Sequence, residues 1–113
     1  MPRPAPRDLF PGALEMMVLR VLTRERLHGY ALVQRIRQAS NDLLQVEEGS
    51  LYPALQRLLK AGLVRATWET SATNRRVRVY RLTPAGHRRL DAEVSSFEQM
   101  LEGISRVLAL GDT

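Results

Sequence analysis

Two polar stretches of this 113-residue chain carry the side chains best suited to binding another molecule. In residues 48–60, polar side chains fall opposite an apolar stripe that repeats at helical spacing. In residues 71–78, arginines gather around a turn-prone segment. Guanidinium, hydroxyl and amide groups hydrogen-bond to anions and polar edges, so these stretches favour recognition rather than bond making. The candidate binding residues are Ser50, Tyr52, Pro53, Gln56, Arg57, Lys60, Asn74, Arg75, Arg76 and Arg78.

The sequence lacks the residue patterns that catalysis and metal binding need. The chain has no cysteine, and its two histidines, His28 and His87, have no partner at ligand spacing. Gly49 and Ser50 lack the flanking pattern of a nucleophile elbow, and there is no glycine-rich phosphate loop. We therefore expect no enzyme activity, no metal and no cofactor. A cysteine-free chain also suits the reducing cytoplasm.

The first polar stretch has the signals of a short, well-bounded helix. Ser50 is the predicted N-cap, because its hydroxyl can accept a hydrogen bond from a first-turn amide. Pro53 then falls in the first turn, where its missing N–H costs little. Gly62 supplies the left-handed residue that ends many helices. The apolar stripe of this helix consists of Leu51, Leu55, Leu58 and Leu59.

The elements around this helix give the fold class. Apolar spacing predicts a first helix near 12–25 and a second near 29–39. After Gly62 apolar residues tend to recur at every second position, and this alternation predicts strands at 63–70 and 77–82 joined by a basic turn. The inward residues of the second helix are predicted to be Tyr30, Leu32, Val33 and Ile36. Three short helices followed by a hairpin form a winged helix-turn-helix, so the fold is α+β, mainly α.

A longer helix is predicted at the C-terminal end of the chain. Thr83 is the expected N-cap and Pro84 the first helical residue. The apolar positions that follow step by four and three residues, which is a heptad seam about three repeats long. Gly103 weakens the helix by roughly 1 kcal/mol relative to alanine, so the last turn is expected to fray or bend. The seam consists of Leu90, Val94, Phe97, Leu101, Ile104 and Leu108.

The net charge of +5 is unevenly distributed along the chain. Residues 83–113 hold three arginines and five acids, a net charge of −2, which leaves +7 for residues 1–82. A basic body with a mildly acidic tail indicates that the body meets a polyanion and the tail meets protein. We expect a flexible arm at 1–8, a winged-helix domain at 9–82 and a dimerisation helix at 83–110. No apolar run approaches the roughly 20 residues that span a bilayer.

Each feature also has a simpler interpretation. The polar face of residues 48–60 could be a solvated helix surface, and the hairpin arginines could prevent pairing at a sheet edge. The basic hairpin after the helix favours DNA, because such side chains contact phosphates and base edges when a helix enters the major groove. Aromatic and methionine side chains could line an effector cavity between subunits, or be ordinary core and interface. These side chains are Met17, Trp68, Phe97 and Met100.

The accumulated motifs resemble the PadR family of bacterial transcriptional regulators over roughly residues 9–108. Together, in this order and spacing, they are highly specific, although any one alone is weak. They lie at residues 27–32, 49–55, 58, 62–64, 74–76 and 80–86.

The resemblance implies a dimeric winged-helix repressor whose first and last helices form the dimer. It also implies binding to promoter DNA and release by a small molecule such as a phenolic acid or a drug. The expected interface is Leu14, Met17, Val18, Val21, Leu90, Val94, Phe97, Leu101, Ile104 and Leu108. The speculative effector residues are Met17, Phe97 and Met100.

The sequence departs from the family pattern at a few positions. Ala31 and Leu59 stand where the family often has an acid, and both positions concern helix packing. Val79 replaces a common aromatic residue in the hairpin. The last helix has no tryptophan, so drug recognition through such a residue is not carried over to this chain.

These observations favour a homodimeric DNA-binding repressor that acts on a palindromic operator with half-sites about one helical turn apart. The alternative is a winged-helix protein-interaction module that never touches DNA. The expected partners are therefore double-stranded DNA, a second copy of the chain and a small aromatic effector, with no membrane.

Overall fold

Residues 12–111, the part of the chain that this computed structural model describes, fold into four helices and one three-stranded antiparallel sheet. The sheet has the strand order β1-β3-β2. The predicted winged helix-turn-helix is confirmed, and the expected arm at 1–8 lies outside the described residues. The elements are α1 (Ala13–Leu22), β1 (Leu27–His28), α2 (Gly29–Ala39), α3 (Glu48–Lys60), β2 (Val64–Thr70), β3 (Arg76–Leu82) and α4 (Pro84–Leu108).

Three helices pack around a single apolar core that the base of the hairpin closes. The stripe of α3 is buried, and Leu51 and Leu55 are completely covered. Each such leucine contributes about 1.5–3 kcal/mol by leaving water. Leu59, at the edge of the predicted stripe, is only partly buried. Facing side chains come from Val18, Leu19 and Leu22 of α1, Leu32, Val33 and Ile36 of α2, and Val64 and Tyr80 of the hairpin.

The short strand β1 was not predicted from the sequence. Leu27 pairs with Tyr80 and His28 with Val79, which adds a third strand to the hairpin. The two residues lie between a charged segment and Gly29, so they are too few to show an alternating pattern. His28 also begins α2, because its Nδ1 accepts a hydrogen bond from the Ala31 amide at 3.3 Å.

Tyr30 was wrongly predicted to face the core. The buried face of α2 is centred on Gly29, Leu32 and Ile36. Tyr30 lies about 100° further round the helix than Gly29 and is 54% exposed. It therefore belongs to the surface beside α3.

The start of α3 also differs from the prediction. The helix begins at Glu48 with Glu47 as its N-cap, and no side chain caps it. Ser50 therefore lies inside the first turn, where its amide donates to the Glu47 carbonyl at 3.1 Å. Pro53 lies in the interior of the helix rather than in its first turn. It is tolerated on the exposed face, where its ring meets solvent and the missing N–H leaves the Gly49 carbonyl open to water.

The predicted stop at Gly62 is confirmed. Gly62 has φ 73°, a left-handed conformation that a residue with a Cβ adopts only at a cost. The Leu63 amide donates to the Leu58 carbonyl and the Gly62 amide to the Leu59 carbonyl, each at 3.0 Å. These two bonds satisfy carbonyls that the end of the helix would otherwise leave unpaired.

The predicted cap of α4 is confirmed and links that helix to the end of α3. The Thr83 hydroxyl accepts from the Gly86 amide at 3.0 Å and donates to the Gly62 carbonyl at 2.8 Å. The Leu63 carbonyl lies directly over Gly86, where a Cβ would stand 2.2 Å from its oxygen. From there α4 continues as one helix through Gly103 to Leu108. Among the described residues, no helix combines the length and the apolar character needed to cross a membrane.

Candidate nucleic-acid interface

A groove of about 680 Å³ lies between the outer face of α3, the start of α2 and the hairpin. Its walls bring together residues that are far apart in sequence. The helix wall contributes Tyr52 and Gln56, and the hairpin wall contributes Arg75, Arg76 and Arg78. Its other lining residues are His28, Gly29, Tyr30, Trp68, Ser71, Thr73, Val77 and Tyr80.

The hairpin register determines which side chains face the groove. Trp68 pairs with Arg78 and Thr70 with Arg76, while Ala66 pairs with Tyr80 nearer the core. Because side chains alternate along a strand, these three pairs share one face of the hairpin. That face starts in the core at Tyr80 and continues outward as the groove wall. Beyond it, the turn closes through a 2.7 Å hydrogen bond from the Ser71 amide to the Arg75 carbonyl.

Gly29 allows the ring of Tyr52 to lie against the start of α2. A Cβ at Gly29 would stand 3.0 Å from both Cε1 and the hydroxyl oxygen of Tyr52. Real Cβ atoms rarely come so close, so any larger residue at position 29 would push the ring outward. Tyr52 is thus held in the wall of the groove while remaining partly exposed.

The electrostatic character of the groove is positive. Among residues 12–111, no acidic side chain lines it, and none of its three arginines forms an ion pair with a described residue. Burial raises the pKa of Tyr80, partly offset by the nearby Arg78. The phenol therefore stays neutral near pH 7 and does not offset the arginine charge. Unpaired guanidinium groups in such a cleft attract a polyanion.

Arg57 does not join this groove, contrary to the prediction that placed it in the binding face. Its Nε donates to Glu15 of α1 at 2.8 Å, and the two side chains form an ion pair. It lines a separate depression beside α1 and α4. The helical position of Arg57 puts it on the flank of α3 opposite Tyr52, where α1 supplies a carboxylate. Ser50, Pro53 and Lys60 remain exposed on α3, and Asn74 is exposed in the turn with φ 61°.

Comparison with known proteins identifies the family. The profile described as Transcriptional regulator PadR-like family matches residues 18–92, well over half of the chain. The chain belongs to the PadR-like family of transcriptional regulators. The family is one of regulators, not of enzymes.

Solved PadR-like and related structures share this fold. A transcriptional regulator from Clostridium thermocellum superimposes with a TM-score of 0.78 at 26% identity, covering 85% of this chain and 90% of that chain. A PadR family regulator from Eggerthella lenta superimposes with a TM-score of 0.77 at 30% identity, and the match covers 89% of this chain and 86% of that chain. Bacillus subtilis PadR, solved in complex with operator DNA, superimposes with a TM-score of 0.65 at 21% identity, and the match covers 72% of this chain and 47% of that chain. This last likeness shows a common fold.

Eight of the thirteen groove residues of this PadR-like chain were not among the predicted binding residues, and three of the eight are aromatic residues that are at least partly exposed. From the sequence, we considered Trp68 for an effector cavity, expected Tyr30 in the core, and weighed His28 as a metal ligand. The available sequence signal was that Trp68 lies in the strand before the basic turn, but sequence periodicity does not show which face of a strand meets α3. Trp68 lies in β2, in the wall of this groove rather than beside Phe97 and Met100.

The apolar seam of α4 divides into a covered half and an uncovered half. Leu90 is buried in the core of its own chain, and Val94 packs against that core. Further along, Leu101, Ile104 and Leu108 are 51%, 40% and 75% exposed. Leu14 and Val18 of α1, like Leu90, are buried within the chain's own core, whereas the other residues of the predicted interface keep at least part of their surface uncovered. Met17, Val21 and Phe97 are only partly covered.

A small pocket of about 200 Å³ lies between the start of α1 and the middle of α4. Phe97 and Met100, two of the speculative effector residues, line it. Met17, the third, does not; Met16 takes that place because it lies on the side of α1 that faces α4. The pocket also carries one carboxylate, that of Glu93.

Proposed function

We propose that this PadR-like regulator binds promoter DNA as a homodimer and represses transcription from a palindromic operator. The observation that carries the proposal is the groove: arginines without an ion-pair partner among residues 12–111, on a hairpin beside the polar face of α3. A helix of this size fits the major groove, where Tyr52 and Gln56 would reach base edges or phosphates. The hairpin arginines would contact the phosphate backbone next to it. The operator complex of Bacillus subtilis PadR supports this mode for the shared fold.

The uncovered half of α4 supports the dimer. Leu101, Ile104 and Leu108 keep the heptad spacing beyond the point where the chain's own core ends. Exposed apolar side chains in such a row are stabilised when a second helix covers them. In the proposed dimer, two α3 helices face successive major grooves about 34–36 Å apart.

The proposal is tested by a mobility-shift titration with the promoter of the chain's own gene at two salt concentrations. We expect selective binding that weakens steeply with salt, by a slope of about 0.9 per phosphate contact. Gln56→Ala should weaken binding more than Arg57→Ala, because Gln56 lines the groove whereas Arg57 is paired with Glu15.

The two variants distinguish the effect of losing a groove contact from the effect of lowering the net charge. Arg57→Ala removes a positive charge and Gln56→Ala removes none, so a purely electrostatic surface would reverse the expected order. No selective binding on this promoter, nor on any fragment from a genome-wide selection, would instead favour the protein-interaction module.

Ile104→Glu is expected to convert the dimer to a monomer, because it places a carboxylate in the middle of the apolar seam. Gln99→Glu makes the same change of charge on the opposite side of α4 and should leave the dimer intact. Sedimentation equilibrium measures both. A dimer that survives Ile104→Glu would rule out this half of α4 as the interface.

The pocket between α1 and α4 is the proposed effector site. An aromatic molecule there would contact Phe97 and Met100 of α4 and Met16 of α1. It would act by changing the angle between subunits and so biasing a two-state equilibrium. Titration of aromatic acids against a preformed complex with labelled operator tests this role. Unchanged operator affinity in both the unaltered chain and a Phe97→Ala variant would contradict it.

A further inference from the structure

Trp68 is the chain's single tryptophan, and it is 57% exposed in the groove wall. A large aromatic side chain left open to water on a strand is unusual unless it touches something there. Its position follows from the register, because it shares the groove face with its cross-strand partner Arg78 and the diagonal neighbour Arg76. Its surroundings are therefore basic.

Two guanidinium groups lie against the indole. The Cζ atom of Arg76 is 5.1 Å from the centre of the ring, and that of Arg78 is 5.8 Å away. Both distances are within the range in which a cation is attracted to the ring's negative face. Among residues 12–111, neither arginine has a carboxylate partner, and the buried Nε of Arg78 has no hydrogen-bond partner. The indole ring is thus a contact that both side chains share.

An aromatic ring that contacts an arginine leaves the arginine's positive charge available for DNA, and a carboxylate does not. A carboxylate would fix the guanidinium groups but neutralise them, whereas an indole leaves their charge and outer N–H groups available. Arginine side chains that are already restrained lose less conformational freedom when they bind. A phosphate backbone would therefore meet two cations held side by side on one strand.

We propose that Trp68 is a positioning residue for DNA binding, holding Arg76 and Arg78 together as a phosphate-binding pair. This inference rests on the proposed function. It predicts that the contribution of Trp68 to operator affinity is transmitted through the two arginines rather than through a direct contact of its own.

A double-mutant cycle tests this coupling. Operator affinity is measured by fluorescence anisotropy of labelled DNA, using the promoter fragment that the unaltered chain binds. The variants are Trp68→Leu, Trp68→Phe, the pair Arg76→Gln/Arg78→Gln, and that pair combined with Trp68→Leu. Circular dichroism and sedimentation confirm that each variant keeps its fold and assembly.

We expect Trp68→Leu to weaken binding about 5- to 10-fold, in keeping with the strength of cation–π contacts. Trp68→Phe should stay within about twofold of the unaltered chain, because it keeps an aromatic face. In the background lacking both arginines, Trp68→Leu should have almost no effect.

The cycle distinguishes this inference from the proposed function. An equal loss from Trp68→Leu in both backgrounds would mean that Trp68 acts directly or structurally, and would overturn the coupling. No loss in either background would overturn any role for Trp68 in binding. In both cases the unaltered chain would still bind the operator, so the proposed function would stand. Absence of operator binding by the unaltered chain would overturn both.

Discussion

Replacing Arg75 and Arg76 by glutamate should abolish operator binding while leaving the fold intact. Both side chains line the groove, and neither is paired with an acidic side chain among residues 12–111. Under the proposed function, each substitution removes a phosphate contact and adds a negative charge facing the phosphates, and the proposed dimer carries both changes twice. We expect a loss of at least about 100-fold in affinity near physiological salt, together with a shallower salt dependence. Fluorescence anisotropy over a salt series measures both.

The hairpin itself offers a matched control. Arg65 and Arg81 pair with each other across β2 and β3, on the face opposite Trp68 and Arg78, and neither lines the groove. Both are exposed, so Arg65→Glu/Arg81→Glu makes the same change in net charge without touching the groove. We expect this variant to lose only a small part of the affinity. Equal losses from the two double variants would show that overall charge, not the groove, determines binding.

Gly86→Ala should cause a large loss of stability, because among the described glycines it is the one where an added Cβ meets backbone most closely. A Cβ at position 86 would lie 2.2 Å from the Leu63 carbonyl oxygen and 2.5 Å from Cδ1 of Leu82. The carbonyl belongs to the backbone and cannot move aside without disturbing the junction at Gly62 and Thr83. We expect the free energy of unfolding to fall by about 3 kcal/mol or more, as for other overpacked sites. Urea unfolding at a fixed protein concentration, followed by circular dichroism, measures it.

Gly103→Ala in the same helix is the control for this prediction. Nothing lies within 4 Å of a Cβ built there, so alanine meets no obstacle. Because alanine favours the helix over glycine by roughly 1 kcal/mol, this variant should be more stable than the unaltered chain. A Gly86→Ala protein that unfolds at the same urea concentration as the unaltered chain would contradict the close packing of α4 on Leu63.

The chain's own sequence determined the parts of the fold that depend on local chemistry. Gly62 ended α3 because the left-handed conformation favours a residue without a Cβ. Thr83 and Pro84 started α4 because one supplies an acceptor for the first turn and the other has no N–H to satisfy. The change from helical to alternating apolar spacing located the hairpin. The ordered set of motifs identified the PadR-like family, which the family profile confirmed.

Contacts between elements were decided only by the tertiary structure. The spacing of α3 showed that Arg57 lies off the apolar stripe, but only the packing of α1 brought Glu15 to it. Likewise, Val18 belongs to a pattern that fits either an interface or a core, and in the structure it is completely buried in the core of its own chain. Tyr30 and Trp68 gained their place in the groove from the angle between α2, α3 and the hairpin. Periodicity specifies which side of an element is apolar, whereas the partner on each side depends on how distant segments pack together.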